Sequence, residues 1–187
     1  MDRAAHYPGK GWQPPARALA CVAIALSMLA GCGRDARVRP NGSPAVAGAP
    51  RQWPLVPPAD PARANDVLMR AISLVGTPYR YGGNTPDAGF DCSGLVNYVY
   101  RDALDLRLPR TSRELDAWPG PRIDPVRLAA ADLVFFGTGG TVTHVGIYVG
   151  EGRFVHAPSS GGTVRLDRLD GPYWANRYTG ARRVLGR

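Results

Sequence analysis

This chain of 187 residues holds three cysteines and three histidines, and where they fall limits the chemistry open to it. Asp91-Cys92-Ser93-Gly94 sets a cysteine at the start of an apolar, helix-patterned segment, and His144 and His156 follow downstream. A thiol in the first turn of a helix faces unpaired backbone N–H groups and the positive end of the helix dipole, both of which favour the thiolate. With a histidine partner it can form an ion pair whose sulfur is nucleophilic near neutral pH. Gly150-Glu151-Gly152 predicts a tight hairpin that pairs the His144 strand with the His156 strand and draws the two rings together. One ring would then act as base and the other would orient it, with no acidic residue needed for the third role. Cys92 alone could be a small core hydrophobe. The three residues could also hold zinc, but beyond Cys32 no fourth Cys or His is present. Catalysis by a thiol, without metal or cofactor, is the expected use.

The elements around these residues follow from pattern. Asp60-Pro61 reads as an N-cap with proline at the first helical position, opening a helix through Val67, Leu68, Ala71, Ile72 and Val75 that stops at Gly76. A loop dense in Gly and Pro, Thr77 to Phe90, delivers the chain to Asp91, the expected N-cap of a second helix with Leu95, Val96, Val99 and Tyr100 on one face. Thr111-Ser112-Arg113-Glu114 has the capping-box form and predicts a short third helix ending before Pro119. After Pro125 the pattern changes to strands, expected at 133–136, 144–149, 153–157, 163–166 and 177–185. Helices followed by a run of strands predict an α+β fold, with N-terminal helices packed on an antiparallel sheet of about five strands.

The N-terminus carries Arg3, Lys10 and Arg17 ahead of an apolar run from Ala18 to Ala30 that closes on Leu29-Ala30-Gly31-Cys32. A basic region, a short apolar core and small residues before a cleavage point describe a secretory signal, and the core is too short for a stable membrane span. The closing four residues resemble the bacterial lipobox. That resemblance implies loss of residues 1–31 and lipidation of Cys32, after which Cys92 is the one free thiol. Residues 32–60 are rich in Pro, Gly and Ala and read as a tether, leaving 61–187 as the catalytic domain. The leader carries three basic residues and one acidic one, so processing lowers the net charge from +8 to +6. The arginines are scattered, without an aromatic-interleaved stripe, so no nucleic-acid partner is expected. A polyanionic wall or anionic lipid surface suits this balance better.

From about residue 66 onward the chain resembles the NlpC family of bacterial cell-wall cysteine peptidases. The resemblance rests on Gly76-Thr77-Pro78-Tyr79-Arg80-Tyr81-Gly82-Gly83, Asp91-Cys92-Ser93-Gly94-Leu95-Val96, Leu108-Pro109-Arg110-Thr111-Ser112 and Asp132-Leu133-Val134-Phe135-Phe136. It continues through His144-Val145-Gly146-Ile147-Tyr148-Val149-Gly150, Phe154-Val155-His156-Ala157, Tyr173-Trp174 and Gly180-Ala181-Arg182-Arg183-Val184. The family usually has Gly where this chain has Ala131. The resemblance implies a small papain-like fold with Cys92 as nucleophile, His144 as general base and His156 as the orienting third member. Tyr79 would hold substrate or stabilise the oxyanion, and Asp91 and Ser93 would line the substrate cleft. Together with the lipobox it implies a lipid-anchored envelope enzyme, expected as a monomer, and Gly33 after Cys32 in place of an acidic residue favours the periplasmic face of the outer membrane. Its substrate would be peptidoglycan stem peptides, cut at the D-alanyl–diaminopimelate crosslink or, alternatively, between D-glutamate and the diamino acid. A non-catalytic murein-binding lipoprotein is the alternative of another class.

Overall fold

A computed structural model describes residues 51–160 and 162–186. The expected signal segment, Cys32 and the expected tether up to residue 50 lie outside the described residues. Asp60 accepts a hydrogen bond from the Arg63 N–H at 3.1 Å and opens α1 (Pro61–Ser73) with proline in its first turn. Ala64, Val67 and Ala71 face inward. Ile72 and Val75, expected on that face, remain over 40% exposed because the helix ends at Ser73 and the buried stripe is centred further round.

The loop after α1 contains a small hairpin, β1 (Asn84–Thr85) and β2 (Gly89–Phe90), where the sequence pattern predicts only loop. It leads directly into α2 (Cys92–Leu104), whose Leu95, Val96, Val99 and Tyr100 are fully buried, as expected. The short α3 (Ser112–Asp116) has its reciprocal Thr111–Glu114 capping box. A single 3₁₀ turn at Pro125–Arg127 precedes the strands β3 (Leu133–Thr138), β4 (Thr141–Gly150), β5 (Arg153–His156) and β6 (Arg165–Arg168). A one-turn helix, α4 (Pro172–Ala175), separates β6 from β7 (Tyr178–Arg182).

The five long strands form one antiparallel sheet in the order β6-β5-β4-β3-β7. Alternation along β3 sends Leu133 and Phe135 to one face and Val134 and Phe136 to the other, and each face builds its own apolar cluster. The first cluster joins the sheet to α1, α2 and α3. The second gathers Phe136, Tyr148, Phe154, Leu169 and Trp174, and Trp53 packs on it. The arrangement is the expected α+β fold with helices against an antiparallel sheet.

Two details depart from the sequence reading. Packing begins before Asp60: Trp53 lies against Tyr148 with ring centroids 6.5 Å apart, its ring fills the space a side chain at Gly152 would need, and Val56 bridges Ala129. The last ten residues of the expected tether therefore belong to the folded body, anchored by the one large aromatic in a stretch otherwise too poor in apolar surface to fold. Ala131 adopts φ +67°, a left-handed conformation that costs a non-glycine residue about 1–2 kcal/mol. Its backbone is held there by the Tyr100 hydroxyl, which donates to its carbonyl, and by its own N–H bond to Tyr148 O at 2.9 Å.

Candidate active site

Asp91 caps α2 by accepting the Gly94 N–H at 2.7 Å, which fixes Cys92 as the first helical residue. Gly94 sits so close to the preceding loop that a Cβ there would lie 2.0 Å from Gly83 O, so only glycine permits this approach. The Asp91 carboxylate also accepts from the Gly82 N–H at 2.9 Å, from the Ser93 hydroxyl at 3.3 Å, and from both terminal nitrogens of Arg110 at 2.8 Å each. Burial works to raise its pKa, but the Arg110 and backbone hydrogen bonds win and hold it below the ordinary carboxylate range. Ser93 is buried and bonded within the same network, its hydroxyl accepting from Arg110 at 2.8 Å. The polar groups of Asp91 and Ser93 are thus engaged inside the protein, and Asp91 is the N-cap the sequence suggested. Arg110, which the sequence presents only within a motif, closes this network.

Cys92 is partly exposed, and its sulfur accepts a hydrogen bond from the Val145 N–H, the backbone group next to His144. Tyr79 lies near it: burial first, then the Cys92 and Asp91 charges, push the phenol pKa up. The thiol pKa is raised too, by burial and then by Asp91, against the lowering pull of the Val145, Ser93 and Cys92 N–H groups. The free site therefore favours a neutral thiol over the thiolate–imidazolium pair that the sequence allows. Desolvation outweighs the helix terminus.

The hairpin places the rings as expected, with His144 Nε2 and His156 Nδ1 2.9 Å apart. Gly146, between them in the pairing, has no room for a side chain, since a Cβ would meet Phe154 at 2.6 Å and the His156 Cβ at 3.2 Å. The structure adds a member. His156 Nε2 lies 3.0 Å from Asp167 Oδ2 on β6, a carboxylate that also accepts from Trp174 Nε1 at 2.7 Å and from Arg165 Nε and Nη2. Burial tends to raise the Asp167 pKa, but those donors hold it below its usual range, so it is ionised and only accepts. His156 must then donate through Nε2, which leaves Nδ1 with a lone pair. His144 Nε2 in turn donates to that lone pair, and His144 Nδ1 is left as a free base. Trp174 also stacks on the His144 ring, centroids 5.1 Å apart at 23°.

Burial and the neighbouring ring push the His144 pKa down from 6.5 to about 3, and burial pushes His156 down to about 4 in spite of Asp167. The unfolded chain consequently binds more protons than the folded one below about pH 6.5, so stability present at neutral pH should fall as pH drops toward 4. His156→Gln should flatten that slope in urea denaturation midpoints taken across the window. An unchanged slope would mean that the rings do not resist protonation.

A family model described as the NlpC/P60 family matches residues 76–183. The chain is 45% identical over 130 residues to the murein DD-endopeptidase MepH of Escherichia coli, covering 66% of this chain and 47% of that one. It is 42% identical over 131 residues to a gamma-DL-glutamyl hydrolase of Bacillus subtilis, covering 67% and 30% respectively. This chain thus spans less than half the length of either relative. A crystal structure of an NlpC/P60 family protein from Bacillus cereus superposes with a TM-score of 0.61 at 32% identity, over 66% of this chain and 40% of that one.

Proposed function

Because the chain belongs to the NlpC/P60 family, we propose that it hydrolyses peptide bonds of peptidoglycan stem peptides with Cys92 as nucleophile, His144 as general base and His156 as the group that orients it. The observation that carries this reading is the hydrogen-bonded line Asp167–His156–His144 beside the Val145 N–H that holds the Cys92 sulfur. His144 Nδ1 takes the thiol proton as the sulfur attacks the scissile carbonyl, and the imidazolium so formed is stabilised through His156 by Asp167. When the C–N bond breaks, His144 returns that proton to the departing amine, leaving a thioester on Cys92. Water, deprotonated by the same nitrogen, then attacks the thioester; the acid leaves and the thiol regains its proton. The Tyr79 hydroxyl and a backbone N–H at Cys92 are the donors proposed for the oxyanion.

The bond proposed is the D-alanyl–diaminopimelate crosslink. A free amino end near the thiol would need an unspent carboxylate, and Asp91, the carboxylate adjoining Cys92, is saturated by Arg110 and two backbone N–H groups. Crosslinked muropeptide dimers should be converted to monomers faster than free tripeptides are cut between D-glutamate and the diamino acid. Survival of the dimers while free-amine peptides disappear would sink the crosslink assignment.

The anchoring proposal is lipidation of Cys32 and residence at the periplasmic face of the outer membrane, with the leash running only to about residue 50 because the chain from Trp53 is packed. One acyl chain holds a protein marginally and two or more hold it stably. Cys32→Ala should accordingly move the protein from the membrane to the soluble fraction. Retention after processing would argue against the anchor.

A further inference from the structure

A cleft of about 400 Å³ opens beside His144, lined among others by Thr143, Ser159, Tyr173, Trp174 and Arg177. In the proposed reaction His144 gives its proton to the departing amine, so the half of the substrate that leaves must lie on the His144 side of the scissile bond. This cleft is where it would lie. Arg165 and Arg168, near by on β6, are neutralised by Asp167 and Asp170. Arg177 has no carboxylate within ion-pair distance among the described residues. Its Nη1 donates to Tyr173 O at 3.1 Å, and its guanidinium lies 3.9 Å over the Tyr173 ring. That ring meets Trp174 edge-on at 4.8 Å, and Trp174 stacks on His144. Backbone pairing adds a further constraint, the Gly137 N–H donating to Arg177 O at 2.8 Å. The guanidinium is therefore held at a set position relative to the base, with Nη2 and Nε unpaired among the described residues.

We propose that Arg177 binds a carboxylate on the leaving half of the substrate, making the cleft beside His144 a subsite for a residue whose own α-carboxyl is free. This rests on the peptide-hydrolase reading above and deepens it. In a D-alanyl–diaminopimelate crosslink the departing nitrogen is attached to a carbon that bears such a carboxylate. An arginine fork held over an aromatic ring suits a planar anion, and little side-chain freedom is lost when it binds.

The test uses two substrates that share one acyl half and differ only in the leaving residue, which carries either a free α-carboxylate or its carboxamide. The full-length protein should favour the carboxylate by about 10- to 100-fold in kcat/KM, the size of one charge-assisted hydrogen bond. Arg177→Gln should lose that preference by slowing the carboxylate substrate alone, and Arg177→Lys should retain part of it. Equal loss on both substrates would show a structural role through Tyr173 and overturn the proposal, as would a wild type indifferent to the carboxylate. Calorimetric binding of the two leaving-half peptides to the Cys92→Ala protein asks the same question without turnover. A carboxylate preference there that vanishes with Arg177→Gln supports the subsite even if the hydrolase reading fails, and equal affinities overturn it.

Discussion

Cys92→Ala is expected to lower hydrolysis of crosslinked muropeptides by on the order of 10⁴-fold or more, the loss seen when a nucleophile that acts as a unit with its base is removed. The fold should survive. Cys92 is partly exposed at the first position of α2, Asp91 still caps that helix, and alanine is the best helix former. What is lost at the sulfur is the weak pull of the Val145, Ser93 and Cys92 N–H groups. Unfolding free energies of the two proteins from urea titration should agree to within about 1 kcal/mol. An alanine variant that is folded and still cuts at a comparable rate would remove the thiol from the mechanism.

His144→Ala should come close to that loss, about 10³-fold or more, because it removes the group proposed to take the thiol proton. His156 separates two ideas of the third member. Its ring is fully buried, accepting from His144 and donating to Asp167. A glutamine there can do both with its carbonyl and its amide N–H, whereas alanine leaves the Asp167 carboxylate and the His144 N–H without their partner. His156→Gln should therefore keep at least tenfold more activity than His156→Ala. Asp167→Asn should also lower kcat, since an amide can donate to His156 and so permit the wrong tautomer of both rings. Equal activity of the Gln and Ala variants at position 156, both folded, would show that the ring does something other than orient His144.

The parts of this site that sequence made legible are those fixed by local rules. Asp91 as a cap, Cys92 in the first turn and the hairpin at Gly150-Glu151-Gly152 each depend on a few adjacent residues. Asp167 was missed for a register reason. The last-but-one strand was expected at 163–166, ending one residue short, whereas β6 runs Arg165–Arg168 and pairs His156 with Arg165. That register puts Asp167 on the same face, diagonal to His156, within side-chain reach. The alternation Arg165, Asp167 against Leu166 and Arg168 carried a faint signal. Arg110 lies 19 residues from Asp91, and nothing local indicates that its guanidinium returns to the α2 N-terminus. Trp174 sits on a one-turn helix too short to show a period. The charge states went astray for a different reason, since a helix terminus is visible in sequence and the depth of burial that opposes it is not. Trp53 shows the converse: composition predicts a tether over residues 32–60, and one aromatic is enough to bind the end of that stretch to Tyr148 and Gly152.

The most direct test of the central claim is mass analysis of the muropeptides released when purified sacculi are incubated with the protein and, in parallel, with its Cys92→Ala variant. The wild type should convert crosslinked dimers to monomers whose masses place the cut after D-alanine, while the variant should leave the dimers intact. Sacculi whose crosslinks and stem peptides are unchanged by the wild type, or changed equally by both proteins, would contradict it.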